Sequence, residues 1–177
     1  MHAMTLERPR ADLQARAQTF AEAAEENLDA VYGYLVYLVR NRDTAEDLAG
    51  ATFEKALRSW TKFDPRRGTA RTWLLGIART TALDWFRSES RRKRREESAA
   101  VAERVDVEFV EGLSPELERA LAELSPADRE IVVLRVVLEL EPEATSRILG
   151  ISTSAVSTRL SRALKRLEER VNQDDLR

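Results

Sequence analysis

The sequence predicts an all-α protein built as two small helical domains, and three observations carry that expectation. Glycine and proline, which break helix interiors, number only 6 and 5 in 177 residues, while Leu, Ala, Glu and Arg dominate. Apolar side chains recur at three- and four-residue spacings in several separate stretches. Charge is sorted into blocks of one sign although the net charge is only −2.

The first helix carries Phe20, Leu28, Val31, Tyr32, Leu35, Leu38 and Val39 on one face and ends near Asn41. Asp43, with Glu46 three positions on, is expected to cap a second helix whose Leu48, Phe53, Ala56, Leu57 and Trp60 point inward. Pro65 and Gly68 make the segment from Phe63 a loop, after which Thr69 can cap a third helix with Leu74, Ile77, Ala78, Ala82 and Trp85 inward. Ser114-Pro115 and Ser125-Pro126 each read as an N-cap followed by proline at the first helical position, where a missing N–H costs nothing. Ile148-Leu149-Gly150-Ile151 closes a short helix in a glycine turn and Ser152 caps the next, the pattern of a helix-turn-helix. In that last helix Val156, Leu160, Leu164, Leu167 and Val171 are expected inward. Thr153, Ser154, Ser157, Thr158, Ser161, Arg162 and Lys165 then face out, side chains suited to phosphates and base edges.

The charge blocks set the domain organisation. From Asp64 to Arg95 ten basic residues oppose three acidic ones, and from Thr145 to Arg170 six oppose two. Between them, from Glu96 to Glu118, eight acidic residues oppose Arg104 alone, in a stretch without sustained apolar periodicity. The expected organisation is a domain over 11–95, a flexible acidic linker over 96–113 and a second domain over 114–172. With no Cys and a single His2, disulfides, Cys-ligated metal sites and thiol nucleophiles are excluded, and neither a metal nor a cofactor is expected. No phosphate-cradling glycine loop and no nucleophile with a His partner can be assembled, so no catalytic residues and no enzyme activity are expected. No apolar run approaches the roughly 20 residues that span a bilayer, and a cytoplasmic location without membrane insertion follows as the expectation.

Two blocks resemble the extracytoplasmic-function group of the sigma-70 family. One runs from Asp43-Thr-Ala-Glu-Asp-Leu48 through Phe63-Asp-Pro-Arg-Arg-Gly-Thr-Ala-Arg-Thr-Trp-Leu75 to Asp84-Trp-Phe-Arg87; the other runs from Leu124-Ser-Pro-Ala-Asp-Arg129 through Val156-Ser-Thr-Arg-Leu-Ser-Arg-Ala163 to Arg166-Leu167. The resemblance implies a sigma factor that directs core RNA polymerase to promoter DNA and promotes melting. On it, Asp43, Glu46, Asp47, Leu48, Phe53 and Glu54 bind core polymerase. Asp64, Arg66, Arg67, Thr69, Arg71, Thr72, Trp73 and Arg79 bind the single-stranded minus-10 element. Thr153, Ser154, Ser157, Thr158, Arg159, Ser161, Arg162 and Lys165 bind the duplex minus-35 element. An anti-sigma factor is a further implied partner, and the linker is implied to thread a basic polymerase channel. Two departures stand out: Gly50-Ala51 occupy the place of a frequent Gln-Glu pair, and Pro142, Thr145 and Ser146 replace the usual aromatic, Ile and Ala.

The residues alone leave alternatives open. Arg66 and Arg67 could simply solubilise a turn and Trp73 could be a core aromatic. Arg91 to Arg95 could hold phosphates or be a solvated helix end, favoured there by the helix dipole. An autonomous helix-turn-helix regulator that binds operator DNA as a dimer is the rival for the whole chain.

Overall fold

The computed structural model describes residues 8–96 and 115–174; most of the acidic linker and the Ser114 cap lie outside them, as does His2. Among the described residues every regular element is helical. Helices α1 (Arg8–Val39), α2 (Arg42–Ser59) and α3 (Ala70–Glu96) pack on one another. Helices α4 (Pro115–Glu123), α5 (Pro126–Val132), α6 (Pro142–Leu149) and α7 (Thr153–Asp174) form the second half, with α7 packed on the other three. The halves touch, α1 against α5 and α3 against α6.

Helix α1 stops because Arg40 turns left-handed, at φ 56°, with its N–H on the Val36 carbonyl at 2.8 Å. Asn41, not Asp43, caps α2: its side-chain oxygen accepts from the Thr44 N–H at 2.8 Å. Asp43 falls two positions later, in the first turn, where its charge still complements the helix dipole. Helix α2 gives way at Ser59 to a 3₁₀ turn, Trp60–Lys62, and a second such turn, Pro65–Arg67, leads to the Thr69 cap of α3. Ser125 caps α5 as expected, accepting from the Asp128 N–H. Past Val132 the chain widens into one π-helical turn, Val133–Val137, in which the Leu138 N–H reaches back to the Val133 carbonyl at 2.8 Å.

The inward stripes run through Phe20, Val31, Tyr34 and Leu35 of α1, Ala45, Leu48, Ala49, Thr52 and Ala56 of α2, and Leu74, Leu75, Ala78 and Ala82 of α3. Those of the second half run through Leu121, Leu124, Ile131 to Leu134, Ile148, Val156, Ala163 and Leu167. Three residues expected inward are exposed: Leu28 (51%), Leu57 (52%) and Leu164 (38%). Each sits one position beyond a buried neighbour, Asn27, Ala56 and Ala163, and so is swung about 100° off the stripe. Small residues take the interior places on α2, which lets the three helices approach closely.

Thr145 is fully buried in α6 and its hydroxyl has no partner among the described residues. A buried hydroxyl without a hydrogen bond costs about 1–3 kcal/mol. Thr145→Val keeps the branched shape and removes that oxygen, so thermal unfolding should show a gain of about 1 kcal/mol. A lowered midpoint would mean that the hydroxyl is satisfied in solution.

Candidate nucleic-acid interface

Four aromatic rings organise the N-terminal half where α2 meets the loop before α3. Trp60 stacks on Phe63 with ring centroids 4.8 Å apart and meets Trp73 edge-on at 5.6 Å and Phe20 at 5.3 Å. Asp64 caps the Pro65–Arg67 turn, accepting from the Arg66 N–H at 3.0 Å, and it also holds the Arg66 guanidinium at 3.0 Å. Those bonds from Arg66 hold its carboxyl below the usual range. Thr69 caps α3 through the Thr72 N–H and shares a 3.0 Å contact with the Thr72 hydroxyl. Between this loop and α3 lies a cavity of about 410 Å³, lined by Phe63, Arg67, Thr69, Trp73 and Thr80 and, from α6, by Arg147 and Ile148.

Of the eight residues expected at single-stranded DNA, Arg66, Arg67 and Thr69 are exposed, and Asp64, Arg67, Thr69, Thr72 and Trp73 line the cavity. Trp73 is half-buried: it belongs to the aromatic cluster and presents part of its surface to the groove. Thr72 is buried: it shapes the loop from beneath and lines the cavity with the little surface it keeps. Arg71 is half-buried, its Nε enclosed without a partner among the described residues. Arg79 is engaged elsewhere: its Nε donates to Glu130 at 2.9 Å, and its side chain is only 24% exposed.

On α7, Gly150 makes the turn at φ 66°, a left-handed conformation that a Cβ penalises, and Ser152 caps the helix by accepting from the Ala155 N–H. Thr153, Ser154, Ser157, Thr158, Ser161, Arg162 and Lys165 are exposed on one side, and Arg159 is half-buried at their edge. The Ser157 and Thr158 hydroxyls donate back to the Thr153 and Ser154 carbonyls, which leaves their oxygens free to accept. Arg166 and Arg170 are spent on Asp128 and Glu123, tying α7 to α5 and α4. The hydroxyl-rich face with two protruding cations has the length and polarity that a major groove accepts.

On α2, Asp43, Glu46, Asp47 and Glu54 are exposed, Glu54 in an ion pair with Arg58, and Phe53 is half-buried. Leu48, expected both on the inward stripe and at the polymerase contact, is 7% exposed: it belongs to the core and supports the acidic face without forming part of it. Gly50 is exposed beside that face. The basic end of α3, Arg91 to Arg95, is exposed along its length, with Arg92 paired to Glu89.

The residues that join the halves escaped the sequence reading. Glu130 accepts from the Tyr34 hydroxyl at 2.7 Å as well as from Arg79. Burial first, then the Glu130 charge, pushes the Tyr34 phenol well above its ordinary value. Arg129, 7% exposed, donates to the Leu121, Ala122 and Leu124 carbonyls at 3.0 Å each and reaches the Tyr37 carbonyl at 3.5 Å. Arg147 lies over the loop, its Nη2 3.5 Å from where a Cβ on Gly68 would stand. The only warning in the sequence is the charged Asp128-Arg129-Glu130 set against the apolar Ile131 to Leu134.

With this geometry in view, the similarity to known proteins falls into place. Residues 23–92 match Sigma-70 region 2 and residues 114–167 match Sigma-70 region 4. The ECF RNA polymerase sigma factor BldN of Streptomyces coelicolor is 33% identical over 91% of this chain, which spans 63% of BldN's length. The ECF RNA polymerase sigma factor SigX of Bacillus subtilis is 30% identical over 78% of this chain and 76% of its own. The sigma factor RpoE of Bartonella quintana, solved in complex with the anti-sigma factor NepR, superposes with a TM-score of 0.78 at 25% identity, covering 88% of this chain and 98% of that one. The chain belongs to the extracytoplasmic-function group of the sigma-70 RNA polymerase sigma factors.

Proposed function

We propose that this chain directs core RNA polymerase to its promoters and opens them, acting by binding alone and catalysing no reaction of its own. The observation that carries the reading is the pairing, in one chain, of a cationic and aromatic groove at Phe63 to Trp73 with a hydroxyl-rich helix-turn-helix face on α7. The first suits an unstacked base and its phosphates; the second suits duplex edges. The acidic face of α2, with Asp43, Glu46, Asp47 and Glu54, is the docking surface for core polymerase, and Phe53 adds apolar contact at its rim. The domains run over 11–95 and 114–172, with the acidic linker between them. The likeness to RpoE held by NepR supports an anti-sigma factor as a further partner, and a factor that acts on core polymerase would work in the cytoplasm.

The test is run-off transcription: purified chain added to core polymerase should give discrete products from genomic promoter fragments. Silence on every fragment, or tight duplex binding by the chain alone as a dimer, would favour the rival regulator. Within that assay Arg162→Ala removes a cation able to pair two guanine acceptors, so minus-35 duplex affinity should fall about tenfold, corresponding to the 1–3 kcal/mol of a good base contact. Unchanged footprints across the minus-35 region would remove Arg162 from the interface.

A further inference from the structure

We infer that the cavity bordered by the Gly68 loop, α3 and α6 is a binding site for a free nucleoside polyphosphate, a ligand distinct from any strand of DNA. The inference deepens the reading of the Phe63 to Trp73 groove as a place that receives an unstacked base, and it rests on that reading for the stacking wall alone.

The charge of the lining carries the argument. Lys62 at the end of the first 3₁₀ turn, Arg67 in the second and Arg147 on α6 come from three separate elements and border one cavity. All three are exposed, and none has an ion-pair partner among the described residues. The whole chain carries 31 acidic residues against 29 basic ones, so three unpaired cations at one cavity do not follow from composition. The lining holds a single carboxylate, Asp64, and Arg66 occupies both of its oxygens, at 3.0 and 3.2 Å. The local field therefore favours an anion that carries several charges.

A strand accounts poorly for that concentration of charge, because it brings one phosphate charge per nucleotide. A nucleoside di- or triphosphate gathers its charge on one base-sized ligand. The cavity, about 410 Å³, is of the size that single small molecules occupy, and Arg147 with Ile148 walls it on the α6 side. The rest of the lining suits the rest of a nucleotide. Phe63 and Trp73, 5.6 Å apart between ring centroids, offer the base a stacking face. The Thr80 hydroxyl donates to the Ile77 carbonyl at 2.8 Å, which leaves its oxygen to accept from a ribose hydroxyl. Gly68 and Gly76 put no side chain into the space between.

Titration calorimetry of ATP into the full chain, at low salt and with EDTA to keep the phosphates free of metal, should show saturable binding of one ATP per chain. Inorganic triphosphate, which lacks the base, and adenosine, which lacks the charge, should each bind about tenfold more weakly or worse. Arg147→Ala and Lys62→Ala each trim an exposed side chain, and each should weaken ATP about tenfold while the thermal midpoint holds. Trp73→Phe keeps a ring in place and should stay near the parent, whereas Trp73→Ala should fall to the level of triphosphate. Single-stranded oligothymidylate should displace ATP, since both need Trp73. No saturable binding, triphosphate as tight as ATP, or undiminished ATP affinity in both cation variants would overturn the site. Run-off transcription on the same preparation separates the two readings. A chain that initiates with core polymerase but binds no ATP defeats the nucleotide site alone; one that binds ATP and never initiates defeats the promoter reading and not the site.

Discussion

Arg129→Met is expected to lower the unfolding free energy of the chain by about 3 kcal/mol, the largest loss anticipated from one substitution in the second half. Arg129 ends two helices at once. Leu121 and Ala122 lie in the last turn of α4, where carbonyls have no partner within the helix, and Leu124 follows directly. The Tyr37 carbonyl has the same status at the end of α1. One planar guanidinium reaches all four, a geometry that its fixed fork of donors permits and an ammonium does not.

The cation is enclosed, and burial, with Arg40 adding repulsion, pulls its pKa down from the usual guanidinium value to about 10. It remains charged at neutral pH because the negative ends of two helix dipoles and four carbonyl oxygens replace its water. Methionine would relieve the cost of burying charge but remove three hydrogen bonds from a charged donor, worth about 1.5–3 kcal/mol each; Leu121 keeps only the Leu124 N–H and Ala122 only the long contact from Arg40, so a net loss near 3 kcal/mol remains after the offset. Arg129→Lys should recover only part. Chemical denaturation checks this, and a change below about 1 kcal/mol would show that water caps the helices equally well.

How much of this was legible depends on the range of the interaction. The Thr69 and Ser125 caps and the Gly150 turn are local and were read correctly, because their partners stand within a few residues. Asn41 was missed in favour of Asp43 since both residues cap well and only the left-handed Arg40 decides between them. Apolar periodicity found the faces of α1, α2 and α7 but slipped at Leu28, Leu57 and Leu164, where a smaller or polar neighbour, Asn27, Ala56 or Ala163, is buried instead because the packing of neighbouring helices chooses the stripe. Within the candidate interface, the exposed face of α7 was readable because inward and outward residues alternate with helical period. Thr72 was not, because a motif names positions without saying which of them support the others, and at Leu48 the inward period and the motif disagreed. Glu130 pairs across 96 residues with Tyr34 and across 51 with Arg79, separations at which nothing in the pattern points from one to the other. The contacts that join the two halves are thus the least visible in the sequence.

Trp73→Ala should slow promoter opening by polymerase carrying this chain about ten- to a hundredfold, with duplex recognition by α7 untouched. A base stacked on an aromatic side chain is worth about 1–3 kcal/mol, and Trp73 offers the broadest ring at the wall of the groove. Its plane is set by Trp60 and Phe63, each 5.6 Å away between centroids, so the platform exists before any strand arrives and little ordering has to be spent on binding. Removing the indole also strips neighbours from the aromatic cluster, and a stability loss alone could slow opening. Trp73→Phe separates the two causes: it retains a π-face in the same place and should restore most of the opening rate even where its thermal midpoint stays below the parent's. Permanganate reactivity of unpaired thymines reads the opening directly, and footprints over the minus-35 element read the duplex contact. Opening that tracks the thermal midpoint across Ala and Phe, and ignores whether a ring is present, would return Trp73 to the core and leave the Arg67 side of the groove to hold the strand by charge alone.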